Sequence, residues 1–148
     1  MRILELEQKF QSQDILNEVL EELKDDLGKV DYWAGCLRGS IVDNIAEANK
    51  ALGELTGTYS NLRTVLGIAE TEKKNREVRR YNEIRIDKEN AGTKFTSASA
   101  EKEASAYVAD YRRIRNIILG YVEACSKDIS SLQSILKNLD RESKQPIE

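Results

Sequence analysis

The only proline in this chain is Pro146, within the last three of its 148 residues. Nothing before it removes a main-chain donor or drives a ring into the preceding turn, so very long uninterrupted helices are open to the chain. Aromatic residues are sparse at 6% and charged residues reach 33%, with Glu, Lys, Leu, Ala and Arg plentiful. That mixture leans towards long helices rather than a sheet. The length suits one domain. The expected fold class is all-α: a long antiparallel, coiled-coil-like helical hairpin with one or two short N-terminal helices, oligomerising.

Periodicity gives the elements. Ile3, Leu4, Leu6 and Phe10 form an apolar patch. Ser12 is the expected N-cap of a following helix, with Asp14 in its first turn, where the helix dipole favours a negative charge. Ile15, Leu16, Val19, Leu20, Leu23 and Leu27 then recur at helical spacing, and Gly28 is read as the stop. Residues 1–28 are thus expected to hold N-terminal amphipathic helices. The hairpin is expected over 29–140 and a disordered tail over 141–148.

Ile45, Ala48, Leu52, Leu55, Tyr59, Leu62, Leu66 and Ala69 step by alternating threes and fours, the seam of a coiled coil. Trp33, Leu37 and Ile41 extend it backwards. Gly35, Gly39, Gly53, Gly57 and Gly67 interrupt it. Each costs about 1 kcal/mol of helix propensity against alanine, so some are read as close-approach points between helices, with kinks as the alternative. A second stripe runs through Tyr107, Tyr111, Ile114, Ile118, Tyr121, Cys125, Ile129, Leu132, Ile135, Leu136 and Leu139, on a helix expected from about Glu101 to Asp140. Such a helix is a rod of about 60 Å. The small polar run 89–100, ENAGTKFTSASA, reads as the loop between the two or as a segment that orders on binding. Two such rods cannot hide both stripes in one globule, which points to self-association. A monomeric three-helix bundle is the alternative. No internal repeat is visible.

Charge is unevenly spread. Residues 1–60 carry six basic and twelve acidic side chains, and residues 61–115 carry thirteen basic and nine acidic, within an overall net charge of −3. Asymmetry of this kind can mark a surface that faces a polyanion. No apolar run approaches the ~18 residues of a membrane span, and MRILELEQKF is too charged for a signal peptide, so a cytoplasmic protein without membrane contact is expected.

Enzymatic constellations are poorly represented. Histidine is absent, which removes the usual general base near neutral pH. Cys36 and Cys125 stand singly in apolar stripes, without metal spacing, and read as buried thiols in a reducing compartment. Glycines occur singly rather than as a phosphate-binding loop. Glu21, Glu22 and Asp25 give an EExxD on one helical face, suited to magnesium in an all-α nucleotide pyrophosphatase. Its partner motif is missing, since Asp43 and Glu47 lie four apart, and a solvated acidic face is the plainer reading. The expectation is a protein that is not an enzyme and uses no cofactor or metal.

The apolar seam stops near Thr71 while the helical composition continues through TEKKNREVRRYNEIRIDK. Residues 73–88 hold seven basic and three acidic side chains. A loop centred near residue 94 would place Arg112 opposite Arg76. Lys73, Lys74, Arg76, Arg79, Arg80 and Arg85 would then lie near Arg112, Arg113 and Arg115, with Lys94 in the loop. Guanidinium forks match phosphate, and Tyr81 and Phe95 lie in the same zone, suited to stacking on unpaired bases. These twelve residues are the candidate single-strand-binding set. A solvated face laced by Glu77, Glu83 and Asp87 is the alternative.

This layout resembles the UvsY-type recombination mediators of T-even-like bacteriophages. The resemblance covers most of the chain but no diagnostic motif. It rests on the MR-initiated, leucine- and glutamate-rich opening MRILELEQKF. It rests also on REVRRYNEI, with Arg76, Arg79, Arg80 and Tyr81, at the end of a long helix. A polar connector and the helix NIILGYVEACSKDISSLQSIL with its one cysteine complete it. The chain departs from the family in its acidity and in a connector without the family's charged, glycine-bearing sequence. The resemblance implies a homo-oligomeric ring that binds single-stranded DNA and helps a RecA-like recombinase replace single-strand-binding protein. On it, Arg76, Arg79 and Arg80 contact the DNA backbone, supported by Lys73, Lys74 and Arg112. A coiled-coil assembly protein of virion or chaperone-like type, with protein partners only, is the alternative.

Overall fold

The computed structural model describes residues 3–10 and 14–145, and among these it is all-helical, with no strand. The elements are α1 (Ile3–Lys9), α2 (Ile15–Leu37), a short 3-10 turn (Ser40–Asp43), α3 (Ile45–Ala91), α4 (Ser97–Tyr107) and α5 (Ala109–Ser143). The cap expected at Ser12 and the end of the tail from 146 lie outside the described residues. At the start of α2, Asp14 accepts the Asn17 side-chain amide at 3.1 Å, and its carbonyl receives the Glu18 N–H.

Three boundaries differ from the expectation. Helix α2 runs straight through Gly28 to Leu37, because one glycine costs only about 1 kcal/mol while Val30 and Trp33 beyond it are buried. The break falls at residues 38–44 instead. There Asn44 caps α3 by accepting the Glu47 N–H on its side-chain oxygen at 3.0 Å. The N-x-x-E pattern of Asn44 and Glu47 is a helix-start signal. Helix α3 also consumes the first residues of the expected loop, which shrinks to 92–96. Gly92 takes a left-handed φ of +65°, the Gly92 N–H reaches the Glu89 carbonyl and the Thr93 N–H reaches that of Lys88. This paired arrangement caps the last carbonyls of a helix and needs glycine at its turn. Finally, the C-terminal rod is two helices, interrupted at Val108, and α5 persists to Ser143 where a tail was expected.

The chain divides into two compact units, one of Met1–Glu22 with Val65–Ile117, the other of Leu23–Thr64 with Ile118–Glu148. In the first, Leu6, Phe10, Ile15, Val19, Val65, Ala69, Ile84, Ala100, Ala104, Val108 and Ile114 are buried. Of the expected N-terminal patch, the side chains of Leu6 and Phe10 are described, and both are fully buried. In the second, Leu23, Val30, Trp33, Ile41, Ala48, Ala51, Leu55, Leu62, Ile118, Val122, Cys125 and Leu132 are buried. Burying a large aliphatic or aromatic side chain contributes about 1.5–3 kcal/mol. Polar ties join helices there: Trp33 Nε1 donates to Glu54 Oε2 at 2.7 Å, and the Tyr121 hydroxyl donates to Asp31 Oδ2 at 3.1 Å.

The seam of α3 is shifted from the expected one at alternate positions. Ala48, Leu55, Leu62, Leu66 and Ala69 are buried as expected. Between them Ala51, Thr58 and Val65 are buried, whereas Leu52 and Tyr59 are half-buried. Ile45, expected in the seam, is 46% exposed. On α5, Val122 is buried and Tyr121 half-buried, while Tyr107 on α4 is 59% exposed. The small residues Ala48, Ala51 and Ala69 at seam positions leave room for close helix packing.

Among the described residues the seam glycines admit no close approach of another helix. A Cβ built on Gly35, Gly53, Gly57 or Gly67 meets no atom within 4 Å, and one built on Gly39 meets only the Cys36 carbonyl, at 3.6 Å. The expected close approaches at these positions are therefore absent from the described structure.

Candidate nucleic-acid interface

All twelve candidate residues belong to the first unit. Helix α3 carries Lys73 to Arg85, the turn carries Lys94 and Phe95, and α5 carries Arg112, Arg113 and Arg115. The structure splits them into cations engaged by the protein and cations presented to solvent.

Arg76 is engaged. Its Nη2 donates to the Phe10 carbonyl at 3.2 Å and its Nε to Glu72 Oε2 at 3.3 Å. Its guanidinium lies 4.6 Å from the centre of the Tyr111 ring. The antiparallel register expected at Arg112 is thus met one residue earlier. The Tyr111 hydroxyl donates to the same Phe10 carbonyl at 2.9 Å, and burial pushes its pKa up. Two donors therefore hold the carbonyl just past the end of α1, where a helix leaves its acceptors unsatisfied.

Arg80 is engaged too. It pairs with Glu103 of α4 at 2.8 Å and with Glu83 at 3.4 Å, and it lies 5.5 Å over the Tyr107 ring. The Glu103 hydrogen bond raises its pKa further, so it is always charged. Lys73 pairs with Glu77 at 3.3 Å. Arg112 Nη2 donates to the Ser105 carbonyl at 2.9 Å and to its hydroxyl at 2.5 Å, closing the end of α4 before the break at Val108. Arg115 is half-buried, with its Nε buried and without a partner. Arg76, Arg80 and Arg112, expected to face a phosphate backbone, thus also meet acceptors within the protein. Main-chain carbonyls near the ends of α1 and α4 take Arg76 and Arg112, as unsatisfied helix-end carbonyls need donors. The Glu83 and Glu103 side chains take Arg80, whose Nε is buried without a partner.

Lys74, Arg79, Arg85, Lys94 and Arg113 are exposed. Positions 74, 78, 81, 85 and 88 share one face of α3, at steps of four and three. That face presents Lys74, Val78, Tyr81, Arg85 and Lys88. Lys88 was not singled out by sequence reasoning, although its spacing from Arg85 would have found it. Tyr81 is held on one side by Phe95, whose ring is nearly perpendicular with centres 5.7 Å apart. The Tyr81 hydroxyl donates to Ser97 Oγ at 3.3 Å. A groove of 330 Å³ opens beside it, lined by Lys74, Glu77, Val78, Tyr81, Glu101 and Ala104. Over its two stretches the unit holds fourteen basic and fifteen acidic residues. Any polyanion contact would therefore rest on this local face, not on net charge.

Elsewhere the sites considered from sequence are quiet. Among the described residues no three carboxylates or cysteines come together to hold a metal ion, those at 21–25 and 43–47 included. Cys125 is buried, its thiol donates to the Leu55 carbonyl at 3.3 Å, and burial pushes its pKa up to about 11. Cys36 is only half-buried, against the expectation. No described helix is long and apolar enough to cross a membrane. Compared with family models, curated proteins and solved structures, the chain matches none.

Proposed function

We propose that this protein is a non-enzymatic recombination accessory factor of bacteriophage type. In this role it binds single-stranded DNA in the host cytoplasm and assists a RecA-like recombinase against single-strand-binding protein. The observation that carries the DNA contact is the outward face of α3, with Lys74, Tyr81, Arg85 and Lys88 in line and Phe95 bracing Tyr81. Cations along one helix face beside an aromatic ring suit a phosphate backbone with unpaired bases. Arg79, Lys94 and Arg113 extend the exposed positive set. Arg76, Arg80 and Arg112 have structural work and drop out of the contact set. The coiled-coil-like hairpin assembles with further copies, which repeats a weak site and raises its avidity.

The test is fluorescence anisotropy of a labelled oligonucleotide, from ~50 mM salt upward. Binding should weaken steeply with salt, since phosphate contacts release counterions. It should fall further when Lys74, Arg85 and Lys88 become alanine. No binding at ~50 mM salt rejects this reading.

The second reading is a helical assembly protein with protein partners only. Two observations favour it: the carboxylates that occupy Arg76 and Arg80, and the 52% and 47% exposure of Val78 and Ile86 on α3. It predicts multimers by light scattering with no salt-sensitive DNA binding.

A further inference from the structure

We infer that the groove between α3 and α4 is a nucleobase subsite that favours bases carrying an exocyclic amine. The inference rests on the single-strand-binding reading above and adds the class of base. The floor of the groove is apolar, formed by Val78, Ala104 and the Tyr81 ring. Phe95 and the Ser97 hydroxyl fix that ring in place before any ligand arrives. A preset aromatic face loses little freedom when a base stacks on it.

The rim supplies the polarity. Lys74 stands at the groove, and Arg85 and Lys88 follow it along the same face, where phosphates on either side of an inserted base would lie. Two carboxylates line the groove with Lys74, Glu77 on α3 and Glu101 on α4. Glu77 is already paired with Lys73. Glu101 is exposed and holds no ion pair among the described residues. An ionised carboxylate only accepts hydrogen bonds. It therefore suits the N4 amine of cytosine or the N6 amine of adenine. Thymine offers a carbonyl oxygen at the equivalent edge, which a carboxylate repels. Single-strand binders without such a group take their preferences from stacking and backbone flexibility.

The test compares oligo(dC) with oligo(dT) of equal length, by anisotropy at ~50 mM salt, on the full chain. Oligo(dC) should bind about fivefold more tightly, the lower end of what a carboxylate–amine contact discriminates. Glu101→Gln should level that ratio, because a carboxamide can donate to the thymine carbonyl. Glu101 is exposed, so this change leaves the fold intact. Tyr81→Phe keeps the stacking face and should keep the ratio, whereas Tyr81→Leu should weaken both oligomers. Binding that is equal for the two oligomers, or a ratio that Glu101→Gln leaves unchanged, overturns the subsite alone. Absence of binding to either oligomer overturns the single-strand reading with it.

Discussion

Replacing Arg76 by alanine should cost the protein about 2–3 kcal/mol of stability, the signature of a structural residue. Three contacts set the magnitude. A hydrogen bond from a charged donor to the Phe10 carbonyl contributes about 1.5–3 kcal/mol. The guanidinium over Tyr111 at 4.6 Å adds about 0.5–1 kcal/mol in a partly exposed setting. The pair with Glu72 is an i,i+4 helix pair, with the two side chains 20% and 26% exposed, and adds about 0.3–0.5 kcal/mol. The contributions overlap, because one guanidinium makes them all. The Phe10 carbonyl keeps the Tyr111 hydroxyl, so that acceptor is not orphaned and the total stays at the lower end of what a core cavity mutation costs. Urea unfolding followed by circular dichroism measures the loss at fixed protein concentration, since the proposed assembly with further copies would make stability depend on concentration. Tyr111→Phe and the double variant complete a cycle, which should show coupling because both side chains serve one carbonyl. Arg79→Ala is the control and should change stability by less than about 0.5 kcal/mol, as an exposed side chain. If Arg76→Ala is as stable as Arg79→Ala, the assignment of Arg76 to the fold is wrong, and the residue returns to the contact set.

Three further outcomes follow from burial and geometry. The Cys125 thiol has a folded pKa of about 11 against an ordinary 9.0. The unfolded chain therefore loses this proton first, and stability falls as pH rises from about 9 to about 11. Cys125→Ala should lack that share of the alkaline loss, and in the native wild type Cys125 should resist a thiol reagent that labels Cys36. Asp128 has a buried oxygen without a partner, and burial raises its pKa. Stability tied to its protonated form is present at acid pH and lost as pH rises through the folded pKa. Asp128→Asn should therefore gain up to about 1 kcal/mol at pH 7, with the gain vanishing in acid urea titrations. Gly53→Ala and Gly57→Ala place a Cβ in open space and should each raise stability by about 0.5–1 kcal/mol. A loss of stability with a drop in assembly mass would instead place those glycines at a contact between copies.

Sequence periodicity located the long helices well and their packing only in part. Leu55 and Leu62 were legible because a leucine at seam spacing on a long helix has few alternatives to burial. Thr58 was not, since a hydroxyl is ordinarily read as outward, yet it is 3% exposed. Tyr59 beside it was read as the seam residue and is half-buried. A helix with two packed neighbours buries a wider arc than one heptad seam, and that arc admits either of two adjacent positions. The cap at Asn44 was legible in principle from Glu47 three residues on. The stop at Gly28 was misread because a glycine marks a helix end only when the chain beyond it has nothing to bury.

The amino-acid order by itself determined that this chain is helical and that positive charge gathers where the apolar seam ends, because both are properties of residues close together in the chain. Only the tertiary structure decided what that charge does. Phe10, Glu103 and Tyr111 lie 66, 23 and 35 positions from the arginines they engage, and their proximity is a product of folding. Arg79 and Arg85, on the same helix, stay exposed because folding brought no such acceptor to meet them.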